Sequence, residues 1–184
     1  MTKKAIVLVA DGFEDVEAVT PIDYLRRADI QVTTASISDN KMVTSRWGGI
    51  KILTDTTLNE LNDRDWDAVI LPGGIPGAAN LAASKETNTL LMEMAAAGKL
   101  ICAICASPVV VLAPLGLLAG KKFTCYPGLE EKVTDGIWSA DKVVVDGNII
   151  TSRAAGTSGD FAIAIIQNLL DEAAGKKIAE AVLL

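Results

Sequence analysis

Three short runs of mostly apolar residues constrain the fold of this chain more than any other feature. They are Ala5 to Ala10, Trp66 to Leu71 and Leu100 to Ile104, and each run stops abruptly at a turn. Runs of this length without regular polar alternation are typical of strands buried on both faces of a parallel sheet. Helical patterns alternate with the predicted strands. The sequence therefore predicts an α/β fold, a doubly wound and mostly parallel sheet with helices on both faces.

The remaining elements fit the same architecture. Further strands are expected at Gln31 to Ile37, Lys122 to Tyr126, Lys142 to Asp146 and Ile149 to Ser152. Helices are expected at Glu14 to Ala28, Glu86 to Ala97, Val109 to Leu112 and Phe161 to Ala174, with Gly175 leading into a final helix. A length of 184 residues fits one domain, and we expect residues 1–184 to form it.

Composition excludes several classes of function. The formal net charge is −6, which argues against nucleic acid as a main partner, because phosphate binding needs a basic face. No apolar run is long enough to span a bilayer, so no membrane partner is expected. The apolar run near the N-terminus meets Asp11, Glu14 and Asp15 without a convincing cleavage site, which favours a cytoplasmic protein.

Histidine is absent from the sequence. Its absence excludes a Cys-His dyad, a Ser-His triad and a histidine metal site within this chain. A general base must then be Asp, Glu, Lys, Tyr or a thiolate. In doubly wound folds such sites form outside the carboxyl ends of the strands, which is where the turns after the three apolar runs lie.

The turn at Cys105 is the first candidate for chemistry. A strand-to-helix turn lifts a side chain out of the sheet, and the N–H groups at a helix start favour a thiolate there. The alternative is that Cys105 is a small buried hydrophobe, as most free cysteines are. Cys102 falls inside the predicted strand rather than in the turn, so a thioredoxin-like pair is not expected. Cys102 and Cys125 are expected to be buried thiols, and no metal site is expected.

Two other turns carry candidate partners for the thiol. Glu14 and Glu17 are three residues apart on one face of a helix, and one of them is expected to face the thiol with a raised pKa. The alternative is that they only complement the helix dipole. Gly74, in the Pro72-Gly73-Gly74 turn, and Ala106 are candidate N–H donors of an oxyanion hole, although a tight turn alone also explains the glycines. Tyr126 is expected to line the crevice.

These motifs together resemble the Parkinson disease protein 7 and PfpI superfamily, and more closely its Parkinson-protein branch. The segments that carry the resemblance are Ala5 to Glu17, Leu71-Pro72-Gly73-Gly74, Ala103-Ile104-Cys105-Ala106, Thr151-Ser152-Arg153 and Gly156-Thr157-Ser158. The resemblance implies a flavodoxin-like fold, similar to class I glutamine amidotransferases, in a single PfpI-type domain.

The resemblance also implies roles for individual residues. Cys105 is implied as the nucleophile, Glu17 as its carboxyl partner, and Gly74 and Ala106 as the backbone donors. Arg27 and Arg46 are implied near the site or at a dimer interface. A homodimer without cofactors is expected.

Family activities define the expected functions. They include conversion of methylglyoxal to lactate, repair of early glycation adducts, chaperone action and peroxide sensing. The sequence therefore predicts a cysteine-dependent stress-response enzyme acting on a small aldehyde or a glycated protein. The alternative is a redox-sensing or chaperone-like protein whose cysteine is oxidised to sulfinic acid under oxidative stress. A thiazole monophosphate role in thiamine biosynthesis is a further alternative, as is a peptidase or amidotransferase, although both of those enzymes normally place histidine beside the cysteine.

Two departures from the family pattern affect these expectations. Tyr126 stands where some relatives place a histidine, and Ala154-Ala155-Gly156 stands where relatives commonly read Gly-Pro-Gly. The first removes a proton carrier near the cysteine, and the second predicts a loop of different structure.

Overall fold

The computed structural model of the chain describes residues 2–47, 49–61 and 65–184. Within them the helices are α1 (Asp15–Arg27), α2 (Gly77–Ala83), α3 (Lys85–Ala96), α4 (Ser158–Leu169) and α5 (Glu172–Ala181). The strands are β1 (Lys4–Val9), β2 (Gln31–Ser36), β3 (Met42–Thr44), β4 (Lys51–Leu53), β5 (Thr56–Thr57), β6 (Ala68–Leu71), β7 (Leu100–Ile104), β8 (Lys122–Phe123), β9 (Ile137–Trp138), β10 (Val143–Asp146) and β11 (Ile149–Ser152). Among the described residues, no helix is long and apolar enough to cross a membrane.

The main sheet has the strand order β10-β11-β7-β6-β1-β2-β5. Every neighbouring pair is parallel except β10 and β11, which form an antiparallel hairpin at one edge. The mostly parallel sheet predicted from the apolar runs is therefore confirmed.

Strand β1 shows why the sheet is covered on both faces. Its side chains alternate between two buried clusters, as the two-residue period of a strand requires. Val7 and Val9 lie in the cluster that contains apolar residues of α1 and α4. Ile6 and Leu8 lie in the cluster that contains apolar residues of α2 and α3. A continuous apolar run is the expected sequence of such a strand.

The last two helices differ from the predicted bounds. The sequence predicts one helix from Phe161 to Ala174, whereas the structure has α4 ending at Leu169 and α5 beginning at Glu172. Asp171 caps α5, because its side chain accepts a hydrogen bond from the N–H of Ala174 at 2.8 Å. Gly175 lies inside α5 rather than before it. The apolar spacing continues across the break, so periodicity alone does not reveal it.

The predicted strand from Lys122 to Tyr126 is also shorter than expected. Only Lys122 and Phe123 pair, and they pair with β9 in a separate two-stranded sheet. The following residues turn toward the carboxyl end of β7, where the N–H of Tyr126 donates to the carbonyl of Cys105 at 2.8 Å. This path places Tyr126 beside the candidate nucleophile.

Candidate active site

Cys105 lies in a sharp turn directly after β7. Its φ is +65°, a left-handed conformation that residues other than glycine rarely adopt. The neighbouring strand holds this conformation, because the N–H of Cys105 donates to the carbonyl of Ser152 at 2.9 Å. A single π-helical turn, Pro108–Leu112, follows where the sequence predicts a short helix from Val109 to Leu112. The geometry is that of a nucleophile presented on a strained strand-to-helix turn.

The structure distinguishes the two glutamates at the start of α1. Glu14 is the N-cap, and its carboxylate accepts a hydrogen bond from the N–H of Glu17 at 2.8 Å. Glu17 instead turns inward and is only 1% exposed. Its carboxyl group is hydrogen-bonded to the side chain of Cys105 and accepts the N–H of Gly73 at 2.9 Å. Glu17 is therefore the carboxyl partner of the thiol, and Glu14 holds the helix start.

Gly73 lies against both Cys105 and Glu17. A Cβ atom built on Gly73 would lie 2.6 Å from the Cβ of Cys105 and 2.7 Å from Oε2 of Glu17. These separations are too short for any side chain at this position. Glycine at residue 73 is therefore required by the close approach of the carboxyl group to the thiol.

Backbone donors surround the sulfur atom. The N–H groups of Gly74 and Ala106 are hydrogen-bonded to the side chain of Cys105. The backbone of Gly74 has a φ of +90°, which glycine adopts without strain. Two N–H groups converging on the sulfur favour its thiolate form.

Hydrogen bonds join the three turns of the site to one another. The buried hydroxyl of Ser107 donates to the carbonyl of Pro72 at 2.6 Å. The N–H of Glu14 donates to the carbonyl of Gly73 at 3.1 Å, and the N–H of Gly77 donates to the carbonyl of Gly12 at 3.1 Å. We call the turns after β1, β6 and β7 the cross-linked turns.

Burial changes the acidity of Glu17. Removal from water disfavours the carboxylate and raises the pKa of Glu17 to about 7, although hydrogen bonds from Cys105, Gly73 and Ala155 favour the charged form. The nearby charge of Glu14 adds to the rise. Glu17 therefore exchanges its proton near neutral pH, which suits a group that both accepts and returns protons.

The helix start after Cys105 predicts a lowered pKa for its thiol. This prediction is wrong when Glu17 is ionised. Burial and the Glu17 carboxylate raise the pKa of Cys105 to about 12, against the opposing effect of the Gly74 and Ala106 N–H groups. Protonation of Glu17 removes that negative charge and turns the carboxyl group into a donor toward sulfur. The two groups thus titrate as a pair, and a neutral Glu17 favours the thiolate.

Two backbone N–H donors to Glu17 are not predicted from the sequence. The N–H groups of Gly73 and Ala155 both bond to the Glu17 carboxyl group. The Pro72-Gly73-Gly74 turn signals the first, whereas nothing in the sequence signals the second, because any residue except proline supplies an N–H. A proline at residue 155, as in the family's Gly-Pro-Gly pattern, has no such donor.

The other candidates lie at different distances from the thiol. Tyr126 is half exposed and is bonded to Cys105 through its backbone. Arg27 lies ten residues beyond Glu17, about 15 Å along α1, and pairs with Asp23 at 2.8 Å, so the structure does not bring it to the thiol. Arg46 lies on the exposed segment after β3, where its guanidinium group stacks on the ring of Trp47 at 4.4 Å.

The other two cysteines are buried free thiols, as the sequence predicts. Burial raises the pKa of Cys125 to about 12 and that of Cys102 well above its ordinary value. Within residues 2–47, 49–61 and 65–184, no group of three or more His, Cys, Asp or Glu residues is arranged to hold a metal ion.

The sequence that forms this site matches a known protein family. The DJ-1/PfpI family matches residues 3–168. The chain belongs to this family. This family is the one that the sequence motifs resemble. The matched residues include every element that builds the Cys105 site.

Curated relatives extend over nearly the whole chain. Protein DJ-1 homolog B of Arabidopsis thaliana is 40% identical over 99% of this chain, but the chain spans only 41% of that relative's length. Protein dj-1beta of Drosophila melanogaster is 38% identical over 100% of this chain and 98% of its own. A relative from Caenorhabditis elegans, the glutathione-independent glyoxalase DJR-1.2, is 34% identical over 91% of this chain and 89% of its own.

Solved structures show the same fold. A mutant of a DJ-1 superfamily protein from Salmonella typhimurium matches with a TM-score of 0.95 and 39% identity, covering 99% of this chain and 98% of that one. Oxidized DJ-1 of Toxoplasma gondii matches with a TM-score of 0.96 and 36% identity, covering 99% and 98%. The fold inferred from the sequence is therefore confirmed.

Proposed function

We propose that the protein is a cysteine-dependent glyoxalase or deglycase that needs no cofactor. The hydrogen-bonded pair of Cys105 and Glu17, enclosed by backbone N–H donors, carries this proposal. The name of the Caenorhabditis elegans relative supports a glyoxalase independent of glutathione. A thiol held in the protein replaces the glutathione thiol in such a reaction.

The geometry supports a reaction in four steps with methylglyoxal. The Cys105 sulfur attacks the aldehyde carbon, and the carbonyl oxygen takes a proton to give a hemithioacetal. Glu17 removes the proton from that carbon and returns it to the neighbouring carbon, while the hydroxyl proton moves to the neighbouring carbonyl oxygen, so that the first carbon is oxidised to a thioester and the second reduced to an alcohol. The Gly74 and Ala106 N–H groups stabilise the negatively charged oxygen. Water then hydrolyses the resulting thioester to lactate and the free thiol.

The same attack accounts for deglycase action. In an early adduct between methylglyoxal and a protein amine, the former aldehyde carbon is still electrophilic. Cys105 takes the place of the amine on that carbon, and the amine leaves with a proton. The later steps again release lactate.

The replacement Cys105→Ser tests this function. We expect lactate formation from methylglyoxal, without added glutathione or metal, to fall to the background rate, because a serine hydroxyl is far less acidic than a thiol and no histidine activates it. Chiral analysis of lactate measures the product. The matched control is Cys125→Ser, at a buried thiol outside the Glu17 pair, which should keep the activity. Undiminished turnover in Cys105→Ser, or none in the wild type, contradicts the proposal.

A redox-sensing role is the second candidate, favoured by the relative from Toxoplasma gondii that was solved in oxidized form. Two molecules of peroxide convert a thiolate to a sulfinate and release two of water. The N–H groups of Gly74 and Ala106 would donate to the sulfinate oxygens. Since an ionised Glu17 raises the thiol pKa, this oxidation is favoured in the state in which Glu17 is neutral.

Mass spectrometry after mild peroxide treatment checks this second role. We expect two oxygen atoms on Cys105 and none on Cys102 or Cys125, because the latter two are 0% and 1% exposed whereas Cys105 is 8% exposed. The same treatment of Glu17→Ala at about pH 6, below the Glu17 pKa of about 7, should slow sulfinate formation, since the protonated carboxyl group that donates to the thiolate is lost. Equal oxidation of all three cysteines would count against a sensor.

We further propose that the chain forms a homodimer through an exposed apolar surface made by Val16 and Val19 of α1 together with Trp47 and Leu53 of the β3–β4 hairpin. The N–H of Gly12 donates to the carbonyl of Thr44 at 2.8 Å, which joins the hairpin to the turn before α1. Exposed apolar patches of this kind mark interfaces.

Light scattering after size-exclusion chromatography tests the dimer. The wild type should have twice the chain mass of 19.3 kDa, and Val19→Glu should have the mass of one chain, because a charge at the interface is unpaired. Met92→Glu places the same charge on an exposed position of α3 and should remain dimeric. A monomeric wild type, or a dimeric Val19→Glu, excludes this interface.

A further inference from the structure

A cavity of about 440 Å³ lies beside the segments that are bonded to the Cys105 backbone. It is lined by Tyr126, Pro127, Lys142, Arg153, Ala154, Gly156 and Thr157. One lining residue, Tyr126, and Ser152, the neighbour of a second lining residue, are bonded to the Cys105 backbone. The N–H of Tyr126 donates to the carbonyl of Cys105 at 2.8 Å, and the N–H of Cys105 donates to the carbonyl of Ser152, the residue before Arg153, at 2.9 Å.

The charges that line this cavity are positive. Lys142 is paired with Asp160 at 3.3 Å, which compensates its charge. Arg153 donates from Nη1 to the carbonyl of Ala140 at 3.2 Å, and no ion pair forms between it and any carboxylate in the part of the chain that the structure describes. None of the lining residues is acidic. A guanidinium group without a carboxylate partner, beside an open cavity, is suited to bind an anionic group.

We infer that Arg153 forms a subsite for a carboxylate at the far end of the substrate, so that the substrates include α-oxoaldehydes that carry a carboxylate. This inference rests on the proposed function and extends it from methylglyoxal to a charged substrate class. The volume lies within the range of small-molecule sites. The aldehyde carbon meets Cys105, and the carbon chain extends along the cavity to the guanidinium group.

A suitable probe is 4,5-dioxopentanoate, in which two methylene groups separate the oxoaldehyde from a carboxylate. The reaction adds one water molecule, oxidises the aldehyde carbon, reduces the neighbouring carbonyl carbon and gives 2-hydroxyglutarate. The compound 2-oxopentanal has the same number of carbon atoms and no charge, and it is converted to 2-hydroxypentanoate in the same way. The ratio of kcat/KM for the two compounds measures the contribution of the carboxylate.

We expect the wild type to favour 4,5-dioxopentanoate by about tenfold, since hydrogen bonds to charged groups are stronger than neutral ones. Arg153→Gln should abolish that preference, mainly through a higher KM for the charged compound. The control is Arg26→Gln, in which the replaced arginine lies near the end of α1 and faces Asp55 at 3.5 Å, outside the cavity. That variant should keep the wild-type ratio.

A second measurement tests the subsite without turnover. N-iodoacetylglycine and N-iodoacetylglycinamide have nearly the same size, and both alkylate a thiol with loss of iodide. Only the first carries a charge, on a carboxylate four bonds from the reacting carbon, as in 4,5-dioxopentanoate. Arg153→Gln should lower the rate ratio of the charged to the uncharged reagent at Cys105, measured by mass spectrometry, whereas Arg26→Gln should not. An unchanged ratio in Arg153→Gln overturns the inference. Failure of the wild type to convert methylglyoxal refutes the proposed function, and the alkylation ratio still decides whether the subsite exists. Conversion of methylglyoxal but of neither five-carbon compound overturns the inferred substrate class.

Discussion

Replacement of Glu17 by Gln should lower kcat for methylglyoxal at least about 100-fold and should stabilise the folded protein above pH 7. The loss of activity follows because glutamine neither accepts nor returns a proton, and general acid–base groups contribute about 100-fold or more. The amide oxygen of glutamine still accepts the N–H of Gly73, so the architecture of the site is retained. The variant thus removes proton transfer while leaving the nucleophile in place.

The gain in stability follows from the raised pKa of Glu17. The folded pKa is about 7, compared with an ordinary value of 4.5. The folded state therefore binds this proton more tightly than the unfolded state, and the stability due to Glu17 is complete below pH 4.5 and is lost as the pH rises toward 7. A shift of this size corresponds to about 3 kcal/mol. Glutamine carries no such penalty at any pH.

Urea denaturation between pH 5 and pH 8, together with the lactate assay, measures both effects. The wild type should lose stability across this interval, and Glu17→Gln should lose less. Glu172→Gln, at an exposed carboxylate in the first turn of α5, is the matched control and should follow the wild type. If Glu17→Gln and the wild type have parallel pH profiles, the burial of Glu17 does not control its ionisation.

Replacement of Gly73 by Ala should have a comparably large effect by a different route. Its new methyl group would lie 2.6 Å from the Cβ of Cys105, 2.7 Å from Oε2 of Glu17 and 3.0 Å from the carbonyl oxygen of Ile104. Two of these atoms belong to the backbone or lie directly on it, so they move only with the chain. We expect a loss of about 3 kcal/mol in unfolding free energy, as for overpacking of a rigid interior. Activity should fall at least about 100-fold, because the methyl group separates the thiol from the carboxyl group.

Urea denaturation and turnover at 10 °C, where the weakened fold is still populated, separate these two effects. Gly49→Ala serves as the control, since a Cβ atom at that position meets nothing within 4 Å. It should keep both the activity and the stability of the wild type. A folded Gly73→Ala protein with normal turnover would show that Cys105 and Glu17 need not be in contact.

The sequence alone predicts the sheet of this protein, but not every helix boundary or site residue. The apolar runs at β1, β6 and β7 predict the sheet correctly, because a strand buried on both faces leaves few alternatives. The same logic fails between α4 and α5, where the apolar spacing continues across the cap at Asp171. It also cannot choose between Glu14 and Glu17, since both lie on one helical face and only the packing of α1 shows which one turns inward.

The sequence also predicts the wrong direction for the pKa of the Cys105 thiol. The helix start after Cys105 predicts a low thiol pKa, yet burial and the Glu17 carboxylate reverse the direction. Desolvation depends on every atom packed around the sulfur, and a local motif does not contain that information. The backbone donor at Ala155 cannot be predicted from the sequence either, because almost any residue at that position would supply the same N–H group.

The cross-linked turns have a consequence for how the protein could acquire new substrates. Their hydrogen bonds fix the thiol, the carboxyl group and the N–H donors to one another before anything binds. The opposite wall, formed by Tyr126 and residues 153–157, is joined to them through its backbone, by the N–H groups of Tyr126 and Ala155. Substitutions of side chains in that wall can therefore change what the cavity admits and leave these bonds in place. The bonded core of the site and the side chains that shape the cavity are thus separate parts of the fold, and each can change without the other.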